Sequence, residues 1–453
     1  MDSLEQQRKH IRNNTKTGSF LKEKLPCGFI ATVSVFILAA LALWWCSSSV
    51  VSFSLGSLSK TNTNLASDTR STLDCGVDGQ VDAKLRHDSH NETFYDDPKL
   101  NYSIVSPIQN WDDKRMTWIQ NNPLYATANR VLVVTGSQPS PCHNPIGDFY
   151  LLRLFKNKVD YCRIHGYDIF YNNAFLHPKM DSYWAKTPII RAAMLAHPEV
   201  EWIWWVDSDA VITDMDFKLP LDKYNDYNLI VDGWPGMIYE ERSWYGLNAG
   251  VLLFRNCQWS MDFMDVWASM GPGYPYYEKW GQILKSTFKD KQFPIADDQS
   301  AMVYMLLEQK ERWADKVYIE NEYCFQCYWA SVVSRFENVT RKYIDLDKGA
   351  SILRRRHAEV VTESYGELRE KYLKDAGYGK ETGRRPFITH FTGCSPCSGN
   401  HNPIYPGDSC KDGMEKALNF ADNQVLRSFG YVHSSLLSSS VMPWQSDVAR
   451  QGD

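Results

Sequence analysis

The sequence predicts an α/β protein with a right-handed parallel sheet, and three observations support that prediction. Short apolar runs alternate with helical segments between residues 131 and 206. The run at residues 202–206 is bulky and uncharged, which is typical of a strand buried on both faces of a parallel sheet. It ends abruptly in Asp207-Ser208-Asp209, at the carboxyl end of a strand, where open α/β sheets bind their ligands.

Each element of this pattern has its own signal in the chain. Residues 131–134 predict the first strand, and residues 148–165 place apolar side chains at helical spacing until Gly166 ends the helix. Residues 168–171 predict a strand, and residues 184–197 predict a helix with Pro188 near its start. The later predictions are a strand at 228–231, a loop at 234–244, a strand at 247–254, a helix at 259–270, a helical segment opened by 294–299 and running to 311, and an exposed helix at 357–374.

The Asp-Ser-Asp sequence after the central strand is a candidate metal site. Side chains two residues apart on an extended segment point the same way, so Asp207 and Asp209 can bind one cation. Carboxylate oxygens suit hard ions such as Mg²⁺ or Mn²⁺, which often also hold substrate phosphates. The same residues favour a simple turn, and Asp-x-Asp recurs at 214–216 and 345–347, so this pattern alone leaves both interpretations open.

The first predicted strand runs into a polar turn at residues 135–139. A loop of this kind is a usual place for a nucleotide, because glycine lets the backbone approach a ligand closely. An ordinary turn between strand and helix explains the residues equally well. The loop is not GxGxxG, so the sequence does not support a dinucleotide-binding fold.

The amino-terminal part of the chain predicts a membrane anchor. Residues 27–46 carry no charge, and about 20 apolar residues are enough to cross a bilayer. Basic residues precede this run, so we expect a cytoplasmic tail at 1–26, a signal anchor at 27–46 and a lumenal body, a single-pass type II arrangement. A cleaved signal peptide is the alternative. The polar residues 47–110 predict a stem, and residues 436–453 predict a disordered tail.

Composition and cysteine content indicate the binding partners and the redox compartment of the lumenal body. The net charge is −5 with both signs mixed throughout, which gives no support for nucleic-acid binding. Cys324-x-x-Cys327 and Cys394-x-x-Cys397 could together bind zinc, but an oxidising lumen favours disulfides. The number of cysteines beyond the anchor is odd, so at least one has no intramolecular partner. Glycosylation sequons fit the same topology at Asn91, Asn101 and Asn338.

Five motifs occur in order and at suitable intervals along the chain. They are Val133-Val-Thr-Gly-Ser-Gln138, Trp204-Trp-Val-Asp-Ser-Asp209, Leu247-Asn-Ala-Gly250, Ala296-Asp-Asp-Gln299 and Thr389-His-Phe-Thr-Gly-Cys394. Together they resemble the plant family of galactomannan galactosyltransferases and xyloglucan xylosyltransferases, over about residues 130–432. Arg354-Arg-Arg-His-Ala-Glu359 and Cys397-Ser-Gly-Asn-His-Asn-Pro403 are more similar to the galactomannan branch.

The resemblance implies a GT-A fold, a Rossmann-like mixed sheet flanked by helices, in a single catalytic domain at residues 111–435. It implies a nucleotide-sugar donor, a divalent metal and retention of anomeric configuration. Asp207 and Asp209 match the metal-binding motif, and His390 matches a family histidine that completes the coordination of Mn²⁺. Without the motif, His390 would be a buried core residue more often than a ligand.

Other site residues follow from the same resemblance. Thr135, Gly136 and Ser137 are expected to hold the uridine of a UDP-sugar. The expected donor site also includes Lys186 near the phosphates, Ser208 and Gly393; a solvated lysine is the alternative for Lys186.

The Asp297-Asp298-Gln299 motif is expected to face the reacting sugar. A retaining transferase needs a carboxylate nucleophile or same-face attack within an ion pair, and Asp298 or Gln299 suits either role. Acidic residues also favour a helix N-terminus, which is the structural alternative. Asn248 is expected to bind the donor sugar or the acceptor. Aromatic candidates for glycan platforms, each of which could equally be packing, are Trp234, Tyr239, Trp244, Tyr328 and Trp329.

The expected function is a Golgi α-1,6-galactosyltransferase that uses UDP-galactose and a β-1,4-mannan acceptor to make a plant cell-wall hemicellulose. Alternatives are an α-1,6-xylosyltransferase acting on β-1,4-glucan, a retaining glycosidase, and a catalytically silent subunit of a Golgi glycosyltransferase complex. Oligomers with itself or with other Golgi glycosyltransferases are both open. Three departures from the family pattern motivate the silent-subunit alternative: Asp232, Cys327 and Ser395.

Overall fold

The computed structural model describes residues 104, 106–125, 130–180, 182–353, 359–379 and 383–444. The predicted tail at 1–26, anchor at 27–46 and most of the stem lie outside these residues. No helix within the described ranges is long and apolar enough to cross a membrane. Ile104 and Ile108 are buried, so packing onto the body begins before the predicted boundary at Trp111.

The strands of the described residues form one large sheet and several small ones. They are β1 (Val131–Gly136), β2 (Asp168–Asn172), β3 (Trp202–Val206), β4 (Ala210–Ile212), β5 (Leu229–Gly233), β6 (Leu247–Arg255), β7 (Val317–Glu320), β8 (Cys327–Tyr328), β9 (Ile388–His390), β10 (Cys394–Ser395), β11 (Asn400–His401), β12 (Tyr431–His433) and β13 (Val441–Pro443).

Helices pack around these sheets. They are α1 (Trp111–Asn121), α2 (Gly147–His165), α3 (Lys186–Ala196), α4 (Pro235–Tyr239), α5 (Gln258–Ala268), α6 (Tyr277–Thr287), α7 (Asp298–Glu308), α8 (Lys310–Trp313), α9 (Trp329–Val332), α10 (Phe336–Gly349), α11 (Thr362–Asp375) and α12 (Ser409–Leu426).

The large sheet has the strand order β2-β1-β3-β6-β5-β7. Strands β2, β1 and β3 are parallel to one another, as the alternating strands and helices predict. Strand β6 is antiparallel to both β3 and β5, whereas β7 is parallel to β5. The parallel sheet predicted from residues 131–206 is confirmed for β1, β2 and β3, and so is the mixed sheet implied by the resemblance.

Both faces of the large sheet are buried. Along β3, Trp202, Trp204 and Val206 belong to one hydrophobic core, which includes residues of α2, α10 and α12. Ile203 and Trp205 belong to a second core, which includes residues of α3, α5 and α7. Alternating side chains of a strand point to opposite faces, so a run without polar residues can only be buried between two layers.

A small sheet brings a distant segment to the end of β3. Its order is β4-β9-β8, and β4 begins directly after Asp209. Strand β9 pairs antiparallel with β4, which sets His390 opposite Ala210. Residues 180 positions apart in sequence thus become neighbours through one strand pairing.

Disulfides fix the loops around this small sheet. The pairs are Cys142–Cys397, Cys324–Cys327 and Cys394–Cys410. The zinc alternative is therefore wrong, because Cys394 and Cys397 bond to different partners outside the proposed ligand set. Among the described residues, Cys162 and Cys257 remain thiols.

Several local predictions are confirmed and others are wrong. Helix α2 lies within one residue of its predicted bounds, and Gly166 after it has a φ of 68°. The predicted loop at 234–244 contains the short helix α4. Helix α11 is not simply exposed, since Tyr365 and Arg369 are buried. Strand β13 pairs with β12, so this part of the predicted disordered tail is ordered, and residues 445–453 lie outside the described residues.

Candidate active site

Asp207, Asp209 and His390 form a cluster at the end of β3. One ligand atom from each residue lies within 4.8 Å of the others. His390 Nε2 is 3.2 Å from Asp209 Oδ1 and 3.8 Å from Asp207 Oδ2. Two carboxylates and an imidazole suit Mn²⁺, and atoms this close are within reach of a single ion. The predicted metal ligands are therefore together in the structure, and the chemistry of the set fits the predicted metal.

The surrounding backbone holds these three side chains in place. Asp207 donates its backbone N–H to Gly250 O at 2.8 Å, and Phe391 N–H donates to Asp209 O at 3.1 Å. Trp205 Nε1 donates to Asp207 Oδ1 at 2.6 Å. A Cβ at position 250 would collide with the imidazole of His390, so only glycine lets β6 pass this close to it.

Asp209 and His390 stabilise each other's charge. Burial alone would raise the pKa of Asp209, but the facing imidazole outweighs it and leaves that pKa below its usual value. Burial alone would lower the pKa of His390, and Asp209 more than reverses the effect. A metal ligand must be a neutral imidazole, so we expect metal binding to release a proton from His390.

A buried lysine connects the metal cluster to the start of α7. Lys186 is only 2% exposed, and its Nζ lies 2.6 Å from Asp298 Oδ2 and 3.4 Å from Asp207 Oδ1. It also donates to Ala249 O at 2.7 Å. Burial lowers the pKa of Lys186, but the two carboxylates more than compensate, so the amine stays protonated. Lys186 thus orients the carboxylates of Asp207 and Asp298. Its contact with the donor phosphates stays a prediction.

The two adjacent aspartates of the Asp297-Asp298-Gln299 motif have different surroundings. Asp297 is the N-cap of α7, and its carboxylate accepts from Ser300 N–H at 2.7 Å and pairs with Lys291. This is the structural alternative recognised from the sequence. Asp298 instead faces Lys186, and burial raises its pKa to about 6 against the opposing effect of that lysine.

A cavity of ≈ 840 Å³ opens beside the metal cluster. Gln299, Asn248 and His390 line it, whereas Asp298 does not. Gln299 Nε2 donates to Trp244 O at 3.1 Å, and Asn248 Oδ1 accepts from Gly250 N–H at 2.9 Å. These contacts fix both amide side chains at the cavity wall. The cavity itself is large enough for a substrate of several sugar rings.

The expected donor residues lie at the same edge of the large sheet. Thr135 is fully buried, and its hydroxyl has no hydrogen-bond partner among the described residues. Gly136 leaves no room for a Cβ against Asn172 O. Ser137 Oγ accepts from the Tyr171 hydroxyl at 2.7 Å. Because β1 and β3 are parallel neighbours, this loop and the metal cluster meet at the carboxyl end of the sheet.

Gly393 and the aromatic candidates have mixed outcomes. Gly393 has a φ of 81°, which only glycine adopts easily, and its carbonyl accepts from Asn402 N–H at 2.8 Å. Trp234 and Tyr328 line the large cavity. Tyr239 and Trp244 do not line it, and they lie beside the amines of Lys310 and Lys291 respectively.

Comparison with known proteins identifies the family. The model of the galactosyl transferase GMA12/MNN10 family matches residues 127–401. The chain belongs to this family. It is 58% identical to "Galactomannan galactosyltransferase 1" of Cyamopsis tetragonoloba over 79% of this chain and 82% of that protein. It is also 58% identical to "Glycosyltransferase 6" of Arabidopsis thaliana, over 79% and 83% of the two chains.

A third relative represents the other branch of the resemblance. The chain is 41% identical to "Probable xyloglucan 6-xylosyltransferase 3" of Arabidopsis thaliana, over 95% of this chain and 84% of that protein. The resemblance inferred from five motifs is thus confirmed, and this GMA12/MNN10 family member is a glycosyltransferase. Together with the mixed sheet and the Asp-x-Asp cluster at its carboxyl edge, membership confirms the expected GT-A fold.

The three departures from the family pattern are compatible with an intact site. Cys327 forms the disulfide with Cys324 that precedes Tyr328. Ser395 is exposed on β10, on the solvent side of the loop that follows His390. Asp232 is buried in the wall of the large cavity, and burial raises its pKa well above the usual value.

Sequence reasoning missed one buried lysine beneath the metal cluster. Lys158 on α2 is 1% exposed, and its Nζ donates to Ser208 O at 3.2 Å and to Ala210 O at 2.8 Å. Burial lowers its pKa to about 8. The sequence did contain a signal for this residue. Lys158 follows Leu154 by one helical turn, on the side of α2 that otherwise carries apolar residues, which indicates a buried lysine.

We expect Lys158→Met in this family member to weaken Mn²⁺ binding about tenfold. The change would leave two buried carbonyls without a donor on either side of Asp209, so the loop that aims both carboxylates would relax. Calorimetric titration with Mn²⁺ measures the effect. Lys156→Met is the matched control, because Lys156 on the same helix is half-exposed and pairs with Asp160 and Asp422 instead. Equal Mn²⁺ affinity in the two variants would rule out a role of Lys158 in holding the metal-binding loop.

Proposed function

We propose that the protein is a retaining, Mn²⁺-dependent α-1,6-galactosyltransferase that transfers galactose from UDP-galactose to a β-1,4-mannan backbone. The observation that carries the proposal is the cluster of Asp207, Asp209 and His390 beside a large cavity that His390 lines, in a chain 58% identical to a galactomannan galactosyltransferase. The lower identity of 41% to a xyloglucan 6-xylosyltransferase makes xylosyl transfer the second candidate.

The metal ligands and Lys186 account for departure of the diphosphate. Asp207, Asp209 and His390 would hold the ion, which when bound supplies a Lewis acid against the charge that develops on the leaving group. Lys186 bridges Asp207 and Asp298, so it keeps both carboxylates oriented in a buried environment. Such preorganised charges need no rearrangement as the reaction proceeds.

The cavity wall accounts for binding of the reacting sugar. Gln299 and Asn248 line the cavity with amide groups that can pair with sugar hydroxyls or stabilise a developing cation. Asp298 pairs with Lys186 and does not line the cavity, so its role in this arrangement is to position that lysine. Gly136 and Ser137 are suited to the nucleoside, because both are partly exposed in the turn after β1, whereas Thr135 is fully buried.

A matrix of donors and acceptors tests the proposal. We expect transfer of labelled galactose from UDP-galactose to β-1,4-manno-oligosaccharides in Mn²⁺, and loss of transfer in EDTA. Label transferred only from UDP-xylose to a β-1,4-glucan would favour the xylosyltransferase. Sugar release that persists in EDTA without any nucleotide sugar would favour a glycosidase. Binding of UDP and Mn²⁺ without transfer to any β-glycan would favour the silent subunit.

We expect kcat to rise with pH through about 6. Burial raises the pKa of Asp298 to about 6, so below that pH the carboxyl is protonated and its ion pair with Lys186 is lost. The check is kcat from pH 5 to 8 at saturating Mn²⁺ and donor, with circular dichroism to confirm folding at each pH. A kcat that stays flat between pH 5 and 7 would contradict an ionised role for Asp298.

The same proposal extends to location, a single-pass type II protein of the Golgi membrane with a lumenal catalytic domain. Three disulfides among the described residues support an oxidising compartment. Asn338 is exposed on α10, where a lumenal transferase could glycosylate it. Gel migration tests this location: a glycosylated Asn338 makes the wild type run more slowly than Asn338→Gln until glycosidase removes the glycan. Equal migration of the two proteins before and after the treatment would give no support to lumenal exposure of this helix.

A further inference from the structure

A second cavity lies beside the one at the metal cluster. It has a volume of ≈ 370 Å³ and is enclosed by α9, the turn after it, the segment 404–406 and the start of α12. Its walls are largely aromatic or aliphatic, with polar groups at the rim; those used below are Tyr328, Trp329, Tyr405, Ser334, Asp412 and Lys416. A volume of this size is at the lower end of the range for small-molecule sites, roughly 300–1,000 Å³.

The aromatic walls are held rigidly. The Tyr328 hydroxyl donates to the Tyr405 hydroxyl at 3.0 Å, and that hydroxyl donates to Thr392 O at 2.8 Å. Trp329 stacks on Phe391 with ring centroids 5.5 Å apart. Gly413 lets α12 lie directly against the Trp329 ring, because a Cβ there would be 3.0 Å from it. The cavity is therefore formed before any ligand arrives, which lowers the cost of binding.

The second cavity adjoins the catalytic one at Tyr328. Tyr328 lines both cavities, so an extended sugar chain bound in the catalytic cavity needs only to pass this one residue to reach the second. Thr392 accepts from the Tyr405 hydroxyl through its carbonyl, and its own hydroxyl is 3.2 Å from His390 Nδ1. The wall of the second cavity is thus two hydrogen bonds from a metal ligand.

The chemistry of the lining selects a sugar over a nucleotide. A diphosphate needs several cationic donors, and Lys416 is the one cationic side chain among the described residues that line this cavity. A β-linked pyranose presents flat C–H faces that pack against aromatic rings, while its hydroxyls extend sideways. Ser334, Asp412 and Lys416 at the rim are suited to those hydroxyls.

We infer that the second cavity is an acceptor subsite, which binds a β-1,4-linked hexosyl residue of the backbone some units away from the residue that receives the transferred sugar. This inference rests on the proposed function for the identity of the acceptor. An acceptor long enough to span both cavities therefore binds more tightly than a short one that fills only the catalytic cavity.

Two rim substitutions test the subsite in the full-length protein. Ser334 and Ala330 are exposed residues of the lining, so Ser334→Trp and Ala330→Trp fill the cavity from its rim without removing a core side chain. Ser286→Trp on the exposed face of α6 is the matched control. We expect KM for β-1,4-mannohexaose to rise about tenfold in both rim variants with kcat unchanged, and KM for mannotriose to stay the same.

Binding without catalysis separates this inference from the proposed function. Calorimetry with mannohexaose and cellohexaose, in the absence of donor, is expected to show weaker hexasaccharide binding in the rim variants and wild-type binding in Ser286→Trp. Hexasaccharide binding that is absent from the wild type, or unchanged in both rim variants, would overturn the subsite. A wild-type protein that binds a hexasaccharide through this cavity but transfers no galactose would instead refute the proposed function and retain the subsite.

Discussion

Asp209→Ala is expected to lower kcat for galactosyl transfer at least about 10³-fold. Removing this carboxylate leaves a site with one acid and one imidazole, and a metal-stabilised leaving group is worth several kcal/mol, at about 1.4 kcal/mol per tenfold in rate. His390 also loses the partner that raises its pKa. Transfer assays at saturating UDP-galactose, with Mn²⁺ raised a hundredfold, distinguish weak metal binding from lost chemistry.

Asp345→Ala is the matched control for the metal ligand. Asp345 belongs to another Asp-x-Asp sequence and is exposed on α10, far along the chain from the cluster. The third such sequence is unsuitable, because Asp216 is buried between Arg369 and Arg385 at 2.6 and 2.8 Å. Asp345→Ala should retain wild-type kcat and thermal stability. An Asp209→Ala protein with more than about a tenth of wild-type kcat would contradict the metal assignment.

Asp298→Asn is expected to lower kcat at least about 10²-fold with a smaller change in the KM for UDP-galactose. The substitution keeps the shape of the side chain but removes the charge that faces Lys186 at 2.6 Å. The buried ammonium would then pair with Asp207 alone and draw it away from the metal position. Steady-state kinetics and a Mn²⁺ titration of the same variant measure both consequences.

The neighbouring Asp297→Asn gives the matched comparison. Asparagine can still cap α7, but the ion pair with the buried Lys291 is broken, which costs about 3 kcal/mol of folding free energy. We therefore expect a lower melting temperature with kcat largely preserved below the transition. Equal losses of kcat in the two variants would refute the division of the pair into one capping and one active-site aspartate.

The central strand and its acidic end could be predicted because their signals are local. Residues 202–206 contain no polar side chain, and a strand with that composition must be buried on both faces, which places Asp207 at a ligand-binding edge. Helix α2 was predictable for the same reason, from apolar spacing and a glycine in the left-handed region after its last turn.

The rest of the site depends on pairings that local patterns do not encode. His390 reaches Asp209 only because β9 pairs with β4, and only the resemblance to a family indicated it. The antiparallel direction of β6 could not be predicted from its own residues, because an apolar strand carries no sign of direction. Asp297 and Asp298 are the same residue type in sequence, and only burial beside Lys291 or Lys186 gives them different roles.

Electron paramagnetic resonance of bound Mn²⁺ tests the central claim most directly. With ¹⁵N-labelled histidine and UDP present, we predict a hyperfine coupling between Mn²⁺ and one imidazole nitrogen, because His390 Nε2 faces both aspartates. The coupling should vanish in His390→Gln, together with at least about a tenfold loss of Mn²⁺ affinity. Mn²⁺ that binds with no nitrogen coupling, and equally well to His390→Gln, would contradict a single ion held by Asp207, Asp209 and His390.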